Sequence, residues 1–138
     1  MFYVCHGTWR RRFFRIFLQH GDKIITYKAV LSISGSPPIS NMVKSSDRPL
    51  IIFPQGTRVL PNERPPFKKG ASRIYEKLNI ACQPIAINSG HVWPKIGKKA
   101  YNKIITVSIL PKINKNLKKE EFLKTLENRI YSELDLIN

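Results

Sequence analysis

The stretch Pro49-Leu50-Ile51-Ile52-Phe53-Pro54-Gln55-Gly56-Thr57-Arg58 constrains this chain more than any other. Leu50 to Phe53 is a continuous apolar run of strand length, the pattern of a strand buried on both faces. Pro54 has no backbone N–H and fixes φ, and Gly56 tolerates conformations that other residues avoid, so the strand ends and the chain turns. Past the turn, Thr57 offers a hydroxyl and Arg58 a planar fork of five donors. A buried strand that delivers such groups at its C-terminal end is how open α/β sheets build binding sites. A guanidinium there suits a phosphate or a carboxylate, held by two parallel hydrogen bonds.

The rest of the chain from Pro49 alternates in the same way. Gln55 to Pro66 carries Pro61, Pro65 and Pro66 and reads as a stiff loop. Ala71, Ile74, Tyr75 and Leu78 recur at helical spacing and predict a short helix. Ile80 to Ile87 is a second apolar run, but Pro84 inside it predicts an irregular or edge strand. Strand, helix and strand together predict a right-handed βαβ crossover with parallel strands. Ile104 to Leu110 predicts a further strand closed by Pro111. Phe122, Leu123, Leu126, Ile130 and Leu134 form one apolar stripe of a C-terminal helix over Lys118 to Leu134. Glu120 and Glu121 fall in its first turn, where the helix dipole favours negative charge. The fold class is therefore α/β: a βαβ unit, a further strand and a C-terminal helix.

Residues 1–48 are a separate, unassigned N-terminal segment beside the part formed by residues 49–138. Trp9, Arg10, Arg11, Arg12 and Arg15 are interleaved with Phe13, Phe14, Ile16, Phe17 and Leu18, with no sustained helical period. Such a segment suits a membrane interface or a single-stranded nucleic acid, or is a poorly ordered or merely core-packing terminus. Lys23 to Leu31 contains a short strand candidate, and Ser32 to Ser40 reads as loop. The 24 Lys and Arg against 9 Asp and Glu give a net charge of +15, which favours an anionic partner. Cys5 and Cys82 lack the paired spacing of a zinc or thioredoxin-like site, and Cys82 reads as a small apolar residue of a strand. No apolar run reaches the length that spans a bilayer.

Phe53-Pro54-Gln55-Gly56-Thr57-Arg58 resembles the Phe-Pro-Glu-Gly-Thr-Arg motif of the glycerolipid acyltransferases that act on 1-acyl-sn-glycerol-3-phosphate. Pro66-Phe67-Lys68-Lys69-Gly70-Ala71 and Gln83-Pro84-Ile85-Ala86-Ile87-Asn88-Ser89-Gly90 follow as two further matches in order, so the resemblance covers the chain from about Pro49 onward. It implies a partial glycerolipid-acyltransferase-like fold and a substrate-binding site made of Gln55, Gly56, Thr57 and Arg58. Carried over, Arg58 grips the acceptor's phosphate, Gly56 lets backbone N–H groups approach it, and Thr57 adds a hydroxyl. Gln55 stands where the family usually has glutamate, which keeps the shape and loses the charge. The implied partners are acyl-CoA or acyl carrier protein as donor, lysophosphatidate as acceptor, and an anionic membrane surface. The implied location is the inner, cytoplasmic face of a membrane, held peripherally, and no cofactor is implied.

Acyl transfer to a hydroxyl also needs a base, which the family takes from a His-x-x-x-x-Asp motif. In this sequence Arg11 stands five positions after His6, Ile25 after His20 and Ile96 after His91. In the family that motif lies several dozen residues ahead of the arginine-bearing one, which places its counterpart ahead of Met1. The expectation is a truncated acyltransferase of phospholipid biosynthesis that holds substrate and is inactive alone, with no catalytic residue assigned. The alternatives are a non-catalytic remnant that binds anionic lipid and, less favoured because it leaves the motifs unexplained, a small basic nucleic-acid-binding protein.

Overall fold

The computed structural model describes residues 2–6, 25–28, 50–57, 59–94 and 96–137. The elements run in the order β1 (Phe2–His6), β2 (Ile25–Lys28), β3 (Leu50–Phe53), α1 (Gly70–Leu78), β4 (Cys82–Ile87), a single 3-10 turn (Ser89–His91), β5 (Val107–Ile109) and α2 (Lys119–Ile137). The strands form one sheet in the order β2-β3-β1-β4-β5. The first four run parallel, and β5 returns antiparallel against β4. The α/β class expected from the pattern is what the chain adopts. Strand β3, helix α1 and strand β4 are the parallel crossover read from the sequence, with β1 lying between the two strands. Two strands of the sheet come from the segment before residue 49. The basic aromatic stretch Trp9 to Leu18 lies outside the described residues.

Helices α1 and α2 cover one face of the sheet. Leu50 and Ile52 of β3 and Cys82 and Ala86 of β4 face them and share one core with Ala71, Tyr75 and Leu78 of α1 and with Phe122, Leu126, Ile130 and Leu134 of α2. Because strand side chains alternate, Ile51, Ile85 and Ile87 form a second buried cluster on the opposite face. This two-sided burial explains the unbroken apolar run that marked β3. The helices meet through stacked rings of Tyr75 and Phe122, 3.8 Å apart at their centroids. Helix α1 ends at Asn79, whose left-handed φ of 47° lets its N–H bond the Tyr75 carbonyl at 2.9 Å. Helix α2 is three residues longer at its C-terminal end than its apolar stripe predicted.

The proline inside β4 does not act as its sequence predicted. Pro84 does not push β4 to an edge: the strand is interior, flanked by β1 and β5. The Pro84 carbonyl points toward β5 and accepts the Leu110 N–H at 3.0 Å. The missing Pro84 N–H is the donor that the Leu110 carbonyl lacks in return. The side-chain amide of Gln83 donates to that carbonyl instead. A neighbouring side chain thus satisfies the acceptor that proline leaves open, which is why an interior position is tolerated.

Candidate substrate-holding site

Parallel strands place their C-terminal ends at one edge of the sheet. Val4 of β1 is level with Ile52 on one side and Pro84 on the other, and His6, which closes β1, is level with Ala86. The Pro54–Thr57 turn after β3 and the Asn88–His91 segment after β4 therefore emerge at the same edge, with the backbone of His6 between them. A Cβ on Gly90 would meet Pro61 Cγ at 3.2 Å, so the loop after β3 reaches across to the segment after β4.

The turn itself is closed by the Gly56 N–H, which donates to the Phe53 carbonyl at 3.0 Å. Gly56 has a φ of +66°, a left-handed conformation that disfavours other residues. It is also covered. A Cβ at Gly56 would lie 3.1 Å from Lys68 Nζ and 3.2 Å from Lys68 Cδ. The Lys68 N–H holds the two segments together by donating to the Pro54 carbonyl at 2.9 Å. Among the described residues the ion pairs are Arg64–Asp135 and Lys119–Glu76, so Lys68 sets an ammonium over the turn with no carboxylate against it there. Thr57 is exposed beside it. Arg58 lies outside the described residues.

Gln55 takes the opposite direction. Its side chain is buried, and its amide nitrogen donates to the Tyr131 hydroxyl of α2 at 3.2 Å. That hydroxyl spends its own proton on the Pro65 carbonyl. An oxygen that has already donated needs a donor as its other partner, which an amide supplies and a carboxylate cannot. Burial pushes the Tyr131 hydroxyl above its ordinary value of 10.0; the Gln55 bond lowers it, nearby Glu127 raises it further, and Arg64 acts the other way.

Tyr131 is the middle of a row. Glu127, Tyr131 and Asp135 stand at i, i+4 and i+8 on α2, one side of the helix. The Glu127 carboxylate accepts the Phe67 N–H at 2.7 Å, and Asp135 takes the Arg64 guanidinium at 2.7 Å. The Phe67 ring packs at 59° on the Tyr131 ring, 5.1 Å away, and the Arg64 guanidinium lies 5.6 Å from the Tyr131 centroid. One helix side thus fastens the whole loop from Gln55 to Phe67. These three residues were not singled out from the sequence, although a polar row at helical spacing beside the apolar stripe is the signal that marks them.

At the end of β4 the polar groups serve structure. Asn88 donates to the Ile137 carbonyl at 2.6 Å and accepts the Thr106 N–H at 2.8 Å. His91 is half-buried in the 3-10 turn, and Cys82 is fully buried in β4, as its apolar surroundings predicted. Among the described residues no group of three His, Cys, Asp or Glu is placed to hold a metal ion, and no helix is long and apolar enough to cross a membrane.

The family model of the acyltransferases matches residues 8–88, more than half of the chain. The chain belongs to the acyltransferase family. The match includes the turn after β3 and all of α1 and β4, and it extends back through most of the N-terminal segment. Among curated proteins, this acyltransferase-family chain is similar to the 1-acyl-sn-glycerol-3-phosphate acyltransferase of Pseudomonas aeruginosa, at 36% identity over 62 residues, 45% of this chain and 24% of that protein. It is also similar to the 1-acyl-sn-glycerol-3-phosphate acyltransferase of Helicobacter pylori, at 33% identity over 89 residues, 63% of this chain and 38% of that protein. The matched stretches thus cover well under half the length of either relative. No solved structure matches the chain.

Proposed function

We propose that this chain is the acceptor-holding part of an acyltransferase of phospholipid biosynthesis, working at an anionic membrane surface. The acceptor is a 1-acylglycerol-3-phosphate and the donor a thioester of coenzyme A or acyl carrier protein. The observation that carries the reading is the turn after β3. A glycine of left-handed φ at the C-terminal edge of the sheet lies under the Lys68 ammonium and next to the exposed Thr57. Such an edge is where open α/β sheets bind ligands, and a lysine with a hydroxyl beside it suits a phosphate. In this reading Gly56 and Thr57 line the phosphate position, Arg58 and Lys68 supply charge, and Gln55 holds the turn through Tyr131. The similarity to two 1-acyl-sn-glycerol-3-phosphate acyltransferases supports the choice of acceptor.

Chemistry needs more than a held phosphate. No histidine of this sequence has aspartate five positions on, so no base–carboxylate pair of that spacing is available. The chain is expected to bind a short-chain lysophosphatidate in a calorimetric titration and to transfer no acyl group to it. Arg58→Ala and Thr57→Ala are expected to weaken binding, Arg58→Ala by about tenfold or more, the scale of a lost charge-assisted hydrogen bond. Equal affinity for a neutral lysolipid of the same chain length overturns the acceptor assignment. Phosphatidate formation that disappears in Arg58→Ala overturns the inactivity.

A further inference from the structure

The chain leaving the 3-10 turn makes a loop before it returns as β5, and that loop holds three of the six large apolar side chains exposed among the described residues. Ile96, Tyr101 and Ile104 are 77%, 86% and 86% exposed. Lys98, Lys99 and Lys103 alternate with them and are exposed as well. The loop has a defined shape: the Ala100 N–H donates to the Val92 carbonyl at 3.0 Å, and Gly97 turns the chain at a φ of +103°. No acidic residue occurs between Glu76 and Glu120, a stretch that carries nine lysines. Since β4 runs parallel to β3 and β5 runs back, this loop stands at the same sheet edge as the turn that holds Gly56.

Three large apolar side chains raised into water are unfavourable unless something covers them. The cations between them select what that is. A second copy of this chain brings the same +15 and is repelled. A nucleic acid would satisfy the lysines and could stack one base on Tyr101, but it would leave the two isoleucines uncovered. An acidic bilayer meets both demands, with lysines among the head groups and apolar side chains below them, and tyrosine is at home in the interface between. We infer that the loop from Ile96 to Ile104 docks this protein on anionic lipid, with Ile96, Tyr101 and Ile104 inserted and Lys98, Lys99 and Lys103 on the head groups. This rests on the membrane-surface reading proposed above and names the element that makes the contact. It also places the phosphate-holding edge against the surface from which a lysolipid is drawn.

The test is co-sedimentation of the full chain with vesicles of phosphatidylcholine, with and without phosphatidylglycerol, at low and at moderate salt. The wild type is expected to bind the acidic vesicles and to weaken with salt. The triple variant I96S/Y101S/I104S, changed only at exposed positions, is expected to lose binding by at least tenfold while its thermal unfolding is unchanged. The variant K98Q/K99Q/K103Q is expected to lose on the order of a hundredfold on acidic vesicles, three lysines near a charged surface acting together. Brominated lipid is expected to quench the fluorescence of Y101W by more than it quenches the parent's. If the wild type binds acidic vesicles and both triple variants bind equally well, the loop assignment is wrong and the membrane-surface reading survives. If the wild type ignores acidic vesicles at low salt, the membrane-surface reading itself fails. If single-stranded DNA binds through the same lysines while vesicles do not, the partner is a nucleic acid and the inference is overturned.

Discussion

Replacing Tyr131 with phenylalanine removes one oxygen and breaks two contacts across 76 and 66 positions of chain. The ring stays, so its packing on Phe67 and under Arg64 is retained. Each hydrogen bond contributes about 1 kcal/mol net, and the Gln55 amide, buried in the native state, loses its acceptor. The sum is about 2–3 kcal/mol. In a chain of this size each kcal/mol moves the melting temperature by roughly 3–5 °C, so a fall of about 6–15 °C is expected by circular dichroism. The effect also has a pH signature. Burial raises the Tyr131 hydroxyl above 10.0, so the folded state prefers the protonated form. That stability is complete below the unfolded value and is lost as pH rises through the folded one. The gap between wild type and Tyr131→Phe therefore narrows at strongly alkaline pH. A double-mutant cycle with Gln55→Ala isolates the pair, with a coupling of about 1 kcal/mol expected. A Tyr131→Phe loss below about 0.5 kcal/mol, the scale of an inert surface change, refutes the clasp.

Three further outcomes follow from the same geometry. Gln55→Glu puts a non-donating carboxylate against Tyr131 and near Glu127; it is expected to cost about 2 kcal/mol in urea unfolding at neutral pH and to recover below about pH 5, where a protonated acid can donate again. Gly56→Ala strains a left-handed residue by about 1–2 kcal/mol and displaces the Lys68 ammonium, so both the melting temperature and lysophosphatidate affinity are expected to fall. Gln83→Met keeps the side chain's length but removes the donor to the Leu110 carbonyl, a loss of about 1 kcal/mol expected in denaturant titration, with lysolipid binding unchanged.

Much of this fold was legible because its apolar periods are clean. Leu50 to Phe53 reads as buried on both faces and is so, and the stripe from Phe122 to Leu134 reads as one helix face and packs as one. What misled was a local rule met by a distant answer. Proline in a strand argues for an edge only if nothing else can serve the opposite carbonyl, and Gln83 serves it. The site divides along the same line. Gly56 announced its turn by composition, because φ is a property of one residue. Gln55 read as a variant of a substrate-side glutamate, and its partner Tyr131 was invisible because only the tertiary fold brings a helix row over a loop that lies some 60 to 76 residues away.

The Phe67 N–H has a second use. Its acceptor is a carboxylate on α2, not a backbone carbonyl of its own segment, so it opens to solvent only when helix and loop part. The turn has its own local bond between Gly56 and Phe53, but contacts as distant as those to α2 carry a closure cost, which puts the docking of α2 on the loop among the later features to form in folding. The exchange rate of that single amide thus clocks the detachment of the helix from the site. If bound lysolipid slows it while core amides of Phe122 and Leu126 are unaffected, ligand and helix are thermodynamically linked, and occupancy of the sheet edge is read from a proton that never touches the ligand.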